Sequence, residues 1–243
     1  MKTTLKNAQL LSTAILTLGS LTGGAMAASM SVLQSEGFNG TDFDNYTLTN
    51  SADTSLSFSS TGSDYIIRTS SPTAVAFSQA VTGFNNNFIA LEDIDSVGFT
   101  GEEGYLNLSP IVGSYNNLGI GFTFAAPSSA ATRYEPTDLI ELQYRVDGGS
   151  WTVASDTSYN GNSTSAGLHN GASNVTTGAT AVFADLTGVS TSSSFQVRVH
   201  FISGTQEEMA FDDIVVRGDV TPEPSSSFML LLGGLTICLK RRK

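Results

Sequence analysis

Apolar and polar positions alternate over short stretches along most of the chain, and Gly, Asn, Asp and Ser separate these stretches. The clearest case is SFQVRVHF at 194–201, where every second residue is apolar. The residues between them, Gln196, Arg198 and His200, fall on the opposite face. This pattern is typical of a half-buried antiparallel strand, so we expect these three polar side chains to face solvent.

About a dozen segments carry a strand pattern of β-branched and aromatic residues bounded by turn residues. They are 31–35, 55–59, 64–69, 73–77, 87–91, 105–109, 118–126, 139–146, 150–155, 180–186, 194–203 and 209–217. No stretch of the body shows a convincing amphipathic helix. The pattern therefore predicts an all-β protein, a sandwich or a barrel.

Two connections can be interpreted from their residues. Asp147-Gly148-Gly149 supplies residues that tolerate positive φ between two strand patterns, which predicts a hairpin turn. Trp151 follows it and is expected in the core or at its rim. The segment 154–180 is almost wholly Ser, Thr, Asn, Gly and Ala, which predicts a long mobile loop.

The first 27 residues have the three-part layout of a secretory signal peptide. Lys2 and Lys6 are basic, 10–21 is mostly apolar and uncharged, and Ala25-Met26-Ala27 offers small residues before a cleavage point. A buried N-terminal helix is the alternative. The prediction is an exported protein whose mature chain starts near Ala28, with a body domain over 28–220.

The last 23 residues, 221–243, combine three features. A Pro-Glu-Pro triplet is followed by an apolar stretch at 228–239 and then by four consecutive basic residues. Twelve apolar residues are fewer than the roughly 20 that a membrane-spanning helix needs, and the basic cluster favours a cytoplasmic end. A core helix and a plain tail anchor are the alternatives.

This tail resembles the PEP-CTERM sorting signal of exported proteins in Gram-negative bacteria that make extracellular polysaccharide. The resemblance rests on Pro222, Glu223 and Pro224 and on Arg241 and Arg242, in that order and position. The serines after the triplet depart mildly from the commoner form, which has a threonine. The resemblance implies that a membrane peptidase, exosortase, recognises the tail and cleaves near the triplet, so that the apolar stretch anchors the chain only transiently. The two prolines keep the segment extended.

The charge of the body excludes one class of partner. Residues 28–220 contain five arginines and no lysine against 21 acidic residues, a net charge of −16. Nucleic-acid binding depends on Lys and Arg facing phosphate, so we expect no nucleic-acid partner. The only cysteine, Cys238, lies in the tail, which excludes an intrachain disulfide and a structural thiolate zinc site.

The body also resembles the jelly-roll domains of sorted bacterial exoproteins, sometimes called choice-of-anchor domains. The similar stretches are FIALEDID at 88–95, DLIELQYRVDGG at 138–149 and EEMAFDDIVVRG at 207–218. The resemblance implies an antiparallel jelly-roll β-sandwich displayed at the cell surface or in the extracellular matrix. It names no ligand.

The sequence carries no catalytic signature. It has no Gly-x-Ser-x-Gly elbow, phosphate loop, dinucleotide fingerprint or His-Glu-x-x-His motif, and its two histidines, His169 and His200, are expected to be ordinary surface residues. We therefore expect a non-enzymatic structural, adhesive or polysaccharide-binding role. A carbohydrate-binding surface would use exposed aromatic residues, for which the candidates are Tyr105, Tyr115, Tyr134, Tyr159 and Trp151. The alternative is a secreted polysaccharide-active hydrolase with paired carboxylates.

The last predicted strand indicates a calcium site. Under strict alternation, one of Asp212 and Asp213 must point into the core, and a buried carboxylate needs a partner. An arginine such as Arg198 or Arg68, or a set of backbone N–H groups, is one solution. Ca²⁺ is the other, because in jelly-roll binding modules a structural calcium often bridges the neighbouring first and last strands. That resemblance brings Glu36 towards Asp212, with Asp42 or Asp44 nearby.

Overall fold

Two antiparallel β-sheets pack face to face in the computed structural model, which describes residues 30–39, 45–61, 64–71, 77–99, 101–127, 130, 133–204 and 206–221. The first sheet has seven strands: β1 (Ser31–Glu36), β4 (Ser59–Thr61), β5 (Asp64–Thr69), β6 (Phe88–Glu92), β9 (Tyr115–Ala125), β15 (Thr180–Asp185) and β17 (Glu208–Val220). The second has ten: β2 (Tyr46–Asn50), β3 (Ser55–Leu56), β7 (Glu103–Leu108), β8 (Ile111–Val112), β10 (Leu139–Val146), β11 (Thr152–Val153), β12 (Tyr159–Asn160), β13 (Leu168–Asn170), β14 (Ser173–Val175) and β16 (Ser194–Ile202). The predicted all-β sandwich is confirmed.

The chain crosses repeatedly from one sheet to the other. Strand β6 lies in the first sheet, β7 in the second, β9 in the first, β10 in the second, β15 in the first, β16 in the second and β17 in the first. Within the first sheet β17 pairs with β9 along one edge, and with β6 and then β1 along the other. Within the second sheet β16 lies between β10 and β7. β17 and β16 are therefore central strands of the first and second sheet respectively.

The main core lies between the sheets and is filled by aromatic and branched aliphatic side chains. Alternate residues of β16, including Phe195 and Phe201, and residues of β17 such as Phe211 are fully buried in it. Packing is tight at Gly104, where an added Cβ would lie 2.4 Å from the Phe201 ring. A smaller apolar cluster covers the outer side of the first sheet, where Phe88 and Val81 pack on Ala90 and Ala210. The first sheet is thus apolar on both faces.

The described residues contain no α-helix, and two 3₁₀ turns, Ile94–Val97 and Ser155–Thr157, are the helical segments there. None of the described segments is a helix of the length and hydropathy needed to span a membrane. The predicted signal peptide, the sorting tail and the strand predicted at 73–77 lie wholly or mostly outside the described residues.

The prediction of a long mobile loop at 154–180 is wrong. The segment contains a 3₁₀ turn and the short strands β12, β13 and β14, which extend the second sheet beyond β10. Leu168 and Val175 anchor it in the core. Two effects order this polar segment. A few apolar residues reach the core, and its backbone groups pair with neighbouring strands.

The strict alternation predicted for the last strand is also wrong. The pairing of β17 with β9 shifts register between Asp212 and Val215. Asp213 has a φ of 50° and is exposed, whereas Asp212 is 2% exposed. This β-bulge inserts an extra residue, so Phe211 before it and Ile214 after it both face the core.

Candidate binding face

The outer face of the second sheet carries an arginine between two aromatic rings. The Arg198 guanidinium carbon, on β16, lies 3.8 Å from the ring centroid of Tyr105 on β7 and 4.2 Å from that of Trp151. Arg145, on β10, approaches the Trp151 ring at 4.7 Å. Such cation–π contacts hold both rings in fixed positions. Tyr105 and Trp151 remain half-exposed, so they are accessible to a ligand.

Two carboxamides fix the arginines. Arg198 Nε donates to Gln143 Oε1 at 2.8 Å, and Arg145 Nε donates to Gln196 Oε1 at 2.8 Å. The Gln196 amide in turn donates to the Leu108 carbonyl at 2.8 Å. Among the described residues, neither guanidinium forms an ion pair with a carboxylate. Arg145 is half-buried, so its remaining N–H groups are within reach of a ligand.

A histidine flanked by two glutamates continues the network. His200 lies 3.0 Å from Glu141 Oε1 through Nδ1 and 2.9 Å from Glu103 Oε1 through Nε2, and its ring stacks on Tyr105 at a centroid distance of 4.8 Å. Burial opposes ionisation of Glu141, but hydrogen bonds with His200, Gln143 and Ser158 outweigh it and lower its pKa. Glu141 is therefore an ionised anchor for the network.

The expectation that the polar face of β16 is open to solvent is wrong. Arg198 is 9% exposed and His200 is 8% exposed. Tyr105 and Trp151 lie against the Arg198 guanidinium from neighbouring segments, and Ser158 bonds Glu141 beside His200. Alternation identifies the two faces of a strand, but not whether other parts of the chain cover the polar one.

The predicted hairpin turn is confirmed and places Trp151. Asp147 and Gly148 have φ values of 50° and 73°, and β10 pairs antiparallel with β11 beyond the turn. The Asp147 carboxylate accepts hydrogen bonds from four consecutive residues, 191–194, at 2.7–3.2 Å. The backbone N–H of Ser194 and the other donors lower the pKa of Asp147 below its usual range. This contact ties the turn carrying Trp151 to the start of β16.

The structure divides the five aromatic candidates between two locations. Tyr134 and Tyr159 are buried in the core, and Tyr115 packs against it while donating to the Val112 carbonyl at 2.9 Å. Only Tyr105 and Trp151, of these five, lie together on the outer face. Their sequence separation of nearly fifty residues gave no signal that they meet.

His169 lies apart from this network. It is half-buried on β13, with its Nε2 3.0 Å from Ser165 Oγ. A cleft of about 440 Å³ also lies apart, at the β2–β3 edge, lined by Tyr46, Leu48, Leu56 and Phe58 and by three hydroxyl residues. None of the described residues that line the cleft is charged. The convergent polar groups that orient a ligand are found on the outer face instead.

Two of the three predicted metal residues come together. Strands β1 and β17 pair antiparallel, with Glu36 opposite Ile214. Asp212 Oδ1 is buried and has no hydrogen-bond partner among the described residues. Burial, with the nearby charges of Asp213 and Glu36, raises the pKa of Asp212 to about 7. Arg198, one of the predicted alternative partners, lies in the other sheet, and Asp42 and Asp44 lie outside the described residues.

Two further groups of acids are close enough to share a cation within the described part of the chain. They are Asp64, Asp93 and Asp95, and Glu135, Asp138 and Glu207, in each of which one oxygen per residue lies within 4.8 Å of the others. Neither group was predicted from the sequence. Each group combines two acids from one connection with a third from a distant part of the chain, so spacing along the chain gave no signal for the third.

No protein-family model matches the chain, and no curated protein sequence matches it. Its fold is similar to that of the CBM22-1 xylan-binding domain from Paenibacillus barcinonensis Xyn10C, at 12% identity and a TM-score of 0.41, covering 80% of this chain and 98% of that one. It is also similar to the K3 cleaved adhesin domain of Lys-gingipain from Porphyromonas gingivalis, at 12% identity and a TM-score of 0.45, covering 76% and 98%. A third similar structure is TmCBM61 in complex with β-1,4-galactotriose, at 11% identity and a TM-score of 0.35, covering 74% and 93%. Likeness this distant does not indicate a ligand.

Asp147→Asn tests whether the turn positions Trp151. The pKa of Asp147 is lowered in the folded state, so its stabilisation is present above the ordinary pKa of about 3.9 and is lost as pH falls through the folded value. We expect Asp147→Asn to lower the thermal midpoint at pH 7, and the difference from wild type to shrink as the pH approaches 2. The emission of Trp151, the single tryptophan, should shift to the red.

Asp156→Asn is the matched control, because Asp156 is also exposed and lies nine residues further along. It should change neither the thermal midpoint nor the emission. If Asp147→Asn matches wild type at pH 7 in both measurements, Asp147 does not position the turn.

Proposed function

We propose that this chain is an exported, non-catalytic β-sandwich protein that binds a polysaccharide on the outer face of its second sheet. The observation that carries the proposal is the set formed by Tyr105, Trp151, Arg145 and Arg198. Two half-exposed rings are fixed beside two guanidinium groups that no carboxylate among the described residues neutralises. Rings supply flat apolar contact and guanidinium groups supply paired donors, which match the faces and hydroxyl groups of a sugar. Because the chain crosses repeatedly between the sheets, we also propose that the sandwich is a jelly roll.

The charge of the body favours a neutral polysaccharide over an acidic one. With a net charge of −16 over 28–220, the domain repels polyanions at long range. Gln143 and Gln196 hold the two arginine side chains in place. The guanidinium groups therefore interact with a ligand through short-range hydrogen bonds. Binding should therefore depend only weakly on salt, unlike the binding of a charged polymer.

The alternative, a polysaccharide-active hydrolase, is disfavoured at this face. A glycosidase needs one carboxyl group with a raised pKa as the general acid. The pKa of Glu141 is lowered, and both of its oxygens accept hydrogen bonds, from Gln143 and from Ser158. Glu103 is engaged by His200 and Tyr105. These carboxylates stabilise the network and are not free for proton transfer.

Trp151→Ala should weaken polysaccharide binding by about 2 kcal/mol or more, roughly thirtyfold in affinity, because a fixed aromatic anchor is lost. The measurement is affinity electrophoresis or calorimetry of the purified chain against a panel of neutral and acidic polysaccharides. Phe183→Ala is the matched control, since Phe183 forms an equivalent contact with Arg217, at 5.2 Å, on β15 of the other sheet.

Equal affinity of wild type and Trp151→Ala would exclude this face as the binding surface. Reducing ends are assayed in the same incubations. Their release by wild type, and its loss in Glu141→Gln, would replace the binding role by hydrolysis.

We further propose that export and sorting follow the two ends of the sequence. A signal peptide at 1–27 directs export, and the tail at 221–243 carries the chain to an exosortase-type membrane peptidase at the inner membrane. The support is the order of Pro222, Glu223, Pro224, the apolar stretch and Arg241-Arg242. The body then reaches the outer surface or the extracellular matrix, where polysaccharide is available.

Mass spectrometry of the mature protein from its native host tests the sorting proposal. We expect a chain that starts near Ala28 and ends between Pro222 and Ser225. A mature surface protein that still contains Lys243 would contradict cleavage and leave the tail as a permanent anchor.

Calcium between the first and last strands is the remaining proposal from the sequence. Asp212 Oδ1 is buried without a described partner, and its carboxylate lies within the electrostatic influence of Glu36 and Asp213. We propose that Glu36 and Asp212 bind Ca²⁺, with Asp42 as the third predicted ligand. Oxygen ligands of this kind suit Ca²⁺.

Thermal unfolding with calcium and with chelator tests this site. A roughly 100-fold excess of Ca²⁺ over its dissociation constant should stabilise the fold by about 2.7 kcal/mol. In Asp212→Asn the calcium-dependent shift of the thermal midpoint should be smaller, because this site no longer contributes to it. Asp185→Asn, which neutralises an exposed aspartate on β15, should keep all of it. An unchanged shift in Asp212→Asn would remove the metal from this position.

A further inference from the structure

A group of carboxylates lies at the end of the sandwich where two connections meet. Asp138 immediately precedes β10, Glu135 lies earlier in the same connection, and Glu207 immediately precedes β17. One oxygen from each of the three lies within 4.8 Å of the other two. The group therefore lies between the start of β10 in the second sheet and the start of β17 in the first.

The group contains a buried carboxylate oxygen that nothing in the described structure satisfies. Glu207 is 3% exposed and Asp138 is 2% exposed. Glu207 Oε2 has no hydrogen-bond partner among the described residues. Ionising such an oxygen is costly without a positive partner, so a cation bound here would stabilise the ionised carboxylate.

A fourth carboxylate points to the same place. A Cβ added at Gly204 would lie 3.0 Å from Glu207 Oε2 and 3.1 Å from Glu102 Oε2. Both oxygens thus border the space that Gly204 leaves open. No arginine, lysine or histidine forms an ion pair with any of these four acids among the described residues.

The backbone around the group is held in place. Asp138 Oδ2 accepts from the Glu135 N–H at 2.5 Å, and the Asp138 carbonyl accepts from the Gly161 N–H at 3.0 Å. Ser203 donates from its hydroxyl to the Glu207 carbonyl at 2.7 Å and from its N–H to the Glu102 carbonyl at 3.0 Å. The carboxylates are therefore presented by fixed segments, as a preorganised site requires.

Without a cation, these acids oppose one another. Burial first, and then the neighbouring charge of Asp138, raises the pKa of Glu207 to about 8. Burial also raises the pKa of Asp138 to about 6. A bound divalent cation would offset both effects, because it supplies opposite charge at the point where the carboxylates meet.

We propose that Glu135, Asp138 and Glu207, with Glu102 beside them, form a second calcium site that locks the start of β10 to the start of β17. The donor set is all oxygen, which suits Ca²⁺ and excludes a preference for softer metals. Carboxylates from three separate segments suit the variable geometry of Ca²⁺ better than the strict octahedron of Mg²⁺. The other acidic group, Asp64, Asp93 and Asp95, is half-buried or exposed and has no unsatisfied buried oxygen in the described chain.

Calorimetric titration of Ca²⁺ into the chelator-treated full chain tests the proposal. Asp212→Asn is used as the background, so that the proposed site between β1 and β17 does not contribute. We expect this variant to bind one Ca²⁺. Adding Glu135→Gln should weaken that binding at least about tenfold, because affinity follows the number of charged ligands. Adding Glu207→Gln should abolish it.

Glu135 is exposed, so Glu135→Gln keeps the measurement valid even if a change at buried Glu207 prevents folding. Asp185→Asn in the same background should bind Ca²⁺ like its parent. No Ca²⁺ binding by Asp212→Asn, or equal affinity after Glu135→Gln, would overturn the proposal. Binding of Mg²⁺ without Ca²⁺ would overturn the assignment of the metal. None of these outcomes depends on polysaccharide binding.

Discussion

The position of β17 at the centre of the first sheet constrains the rest of the sandwich. This thirteen-residue strand pairs with β9 along one edge and with β6 and β1 along the other. Every residue from 208 to 212 is consequently buried. Because the first sheet is covered by apolar residues on both sides, the carboxylates in this strand cannot turn to water. The pKa values of Glu208 and Asp212 are both raised, first by burial.

The three buried acids in and next to the first part of β17 differ in their partners. Glu208 accepts from the Ser78 N–H and hydroxyl and from Arg133, which uses one of the five arginines of the body. Asp212 and Glu207 each retain a buried oxygen without a described partner. The body has few basic residues, and the proposed cations would supply the counter-charge that these two oxygens lack. Both proposed calcium sites follow from this shortage, and both lie where β17 meets another segment.

The second sheet uses its arginines for a different purpose. Arg145 and Arg198 contact rings and carboxamides instead of carboxylates. The Asp147 turn anchors the segment that carries Trp151, and His200 stacks on Tyr105. The outcome is a rigid surface that combines flat apolar contact with directed donors. Such a surface suits the polysaccharide binding proposed above, because groups that are already fixed lose little conformational entropy when a ligand binds.

The sequence by itself determined most of the strand pattern, the restriction to an all-β sandwich or barrel, and the hairpin turn at Asp147-Gly148-Gly149. These depend on local periodicity, on residues that tolerate positive φ and on composition, all of which can be seen along the chain. The neighbouring first and last strands, expected from family resemblance, are also present.

Only the tertiary structure decided which side chains meet. Tyr105, Trp151 and Arg198 come from different strands and turns, and Glu135, Asp138 and Glu207 come from two separate connections. The bulge at Asp212 and Asp213 changes the face of each later residue of β17, and no local pattern showed it. Strand alternation placed His200 and Arg198 correctly on the polar face of β16. Whether that face is buried depends on distant segments that cover it, which alternation does not show. Contacts of long sequence separation are set by sheet pairing and register, which local sequence does not encode.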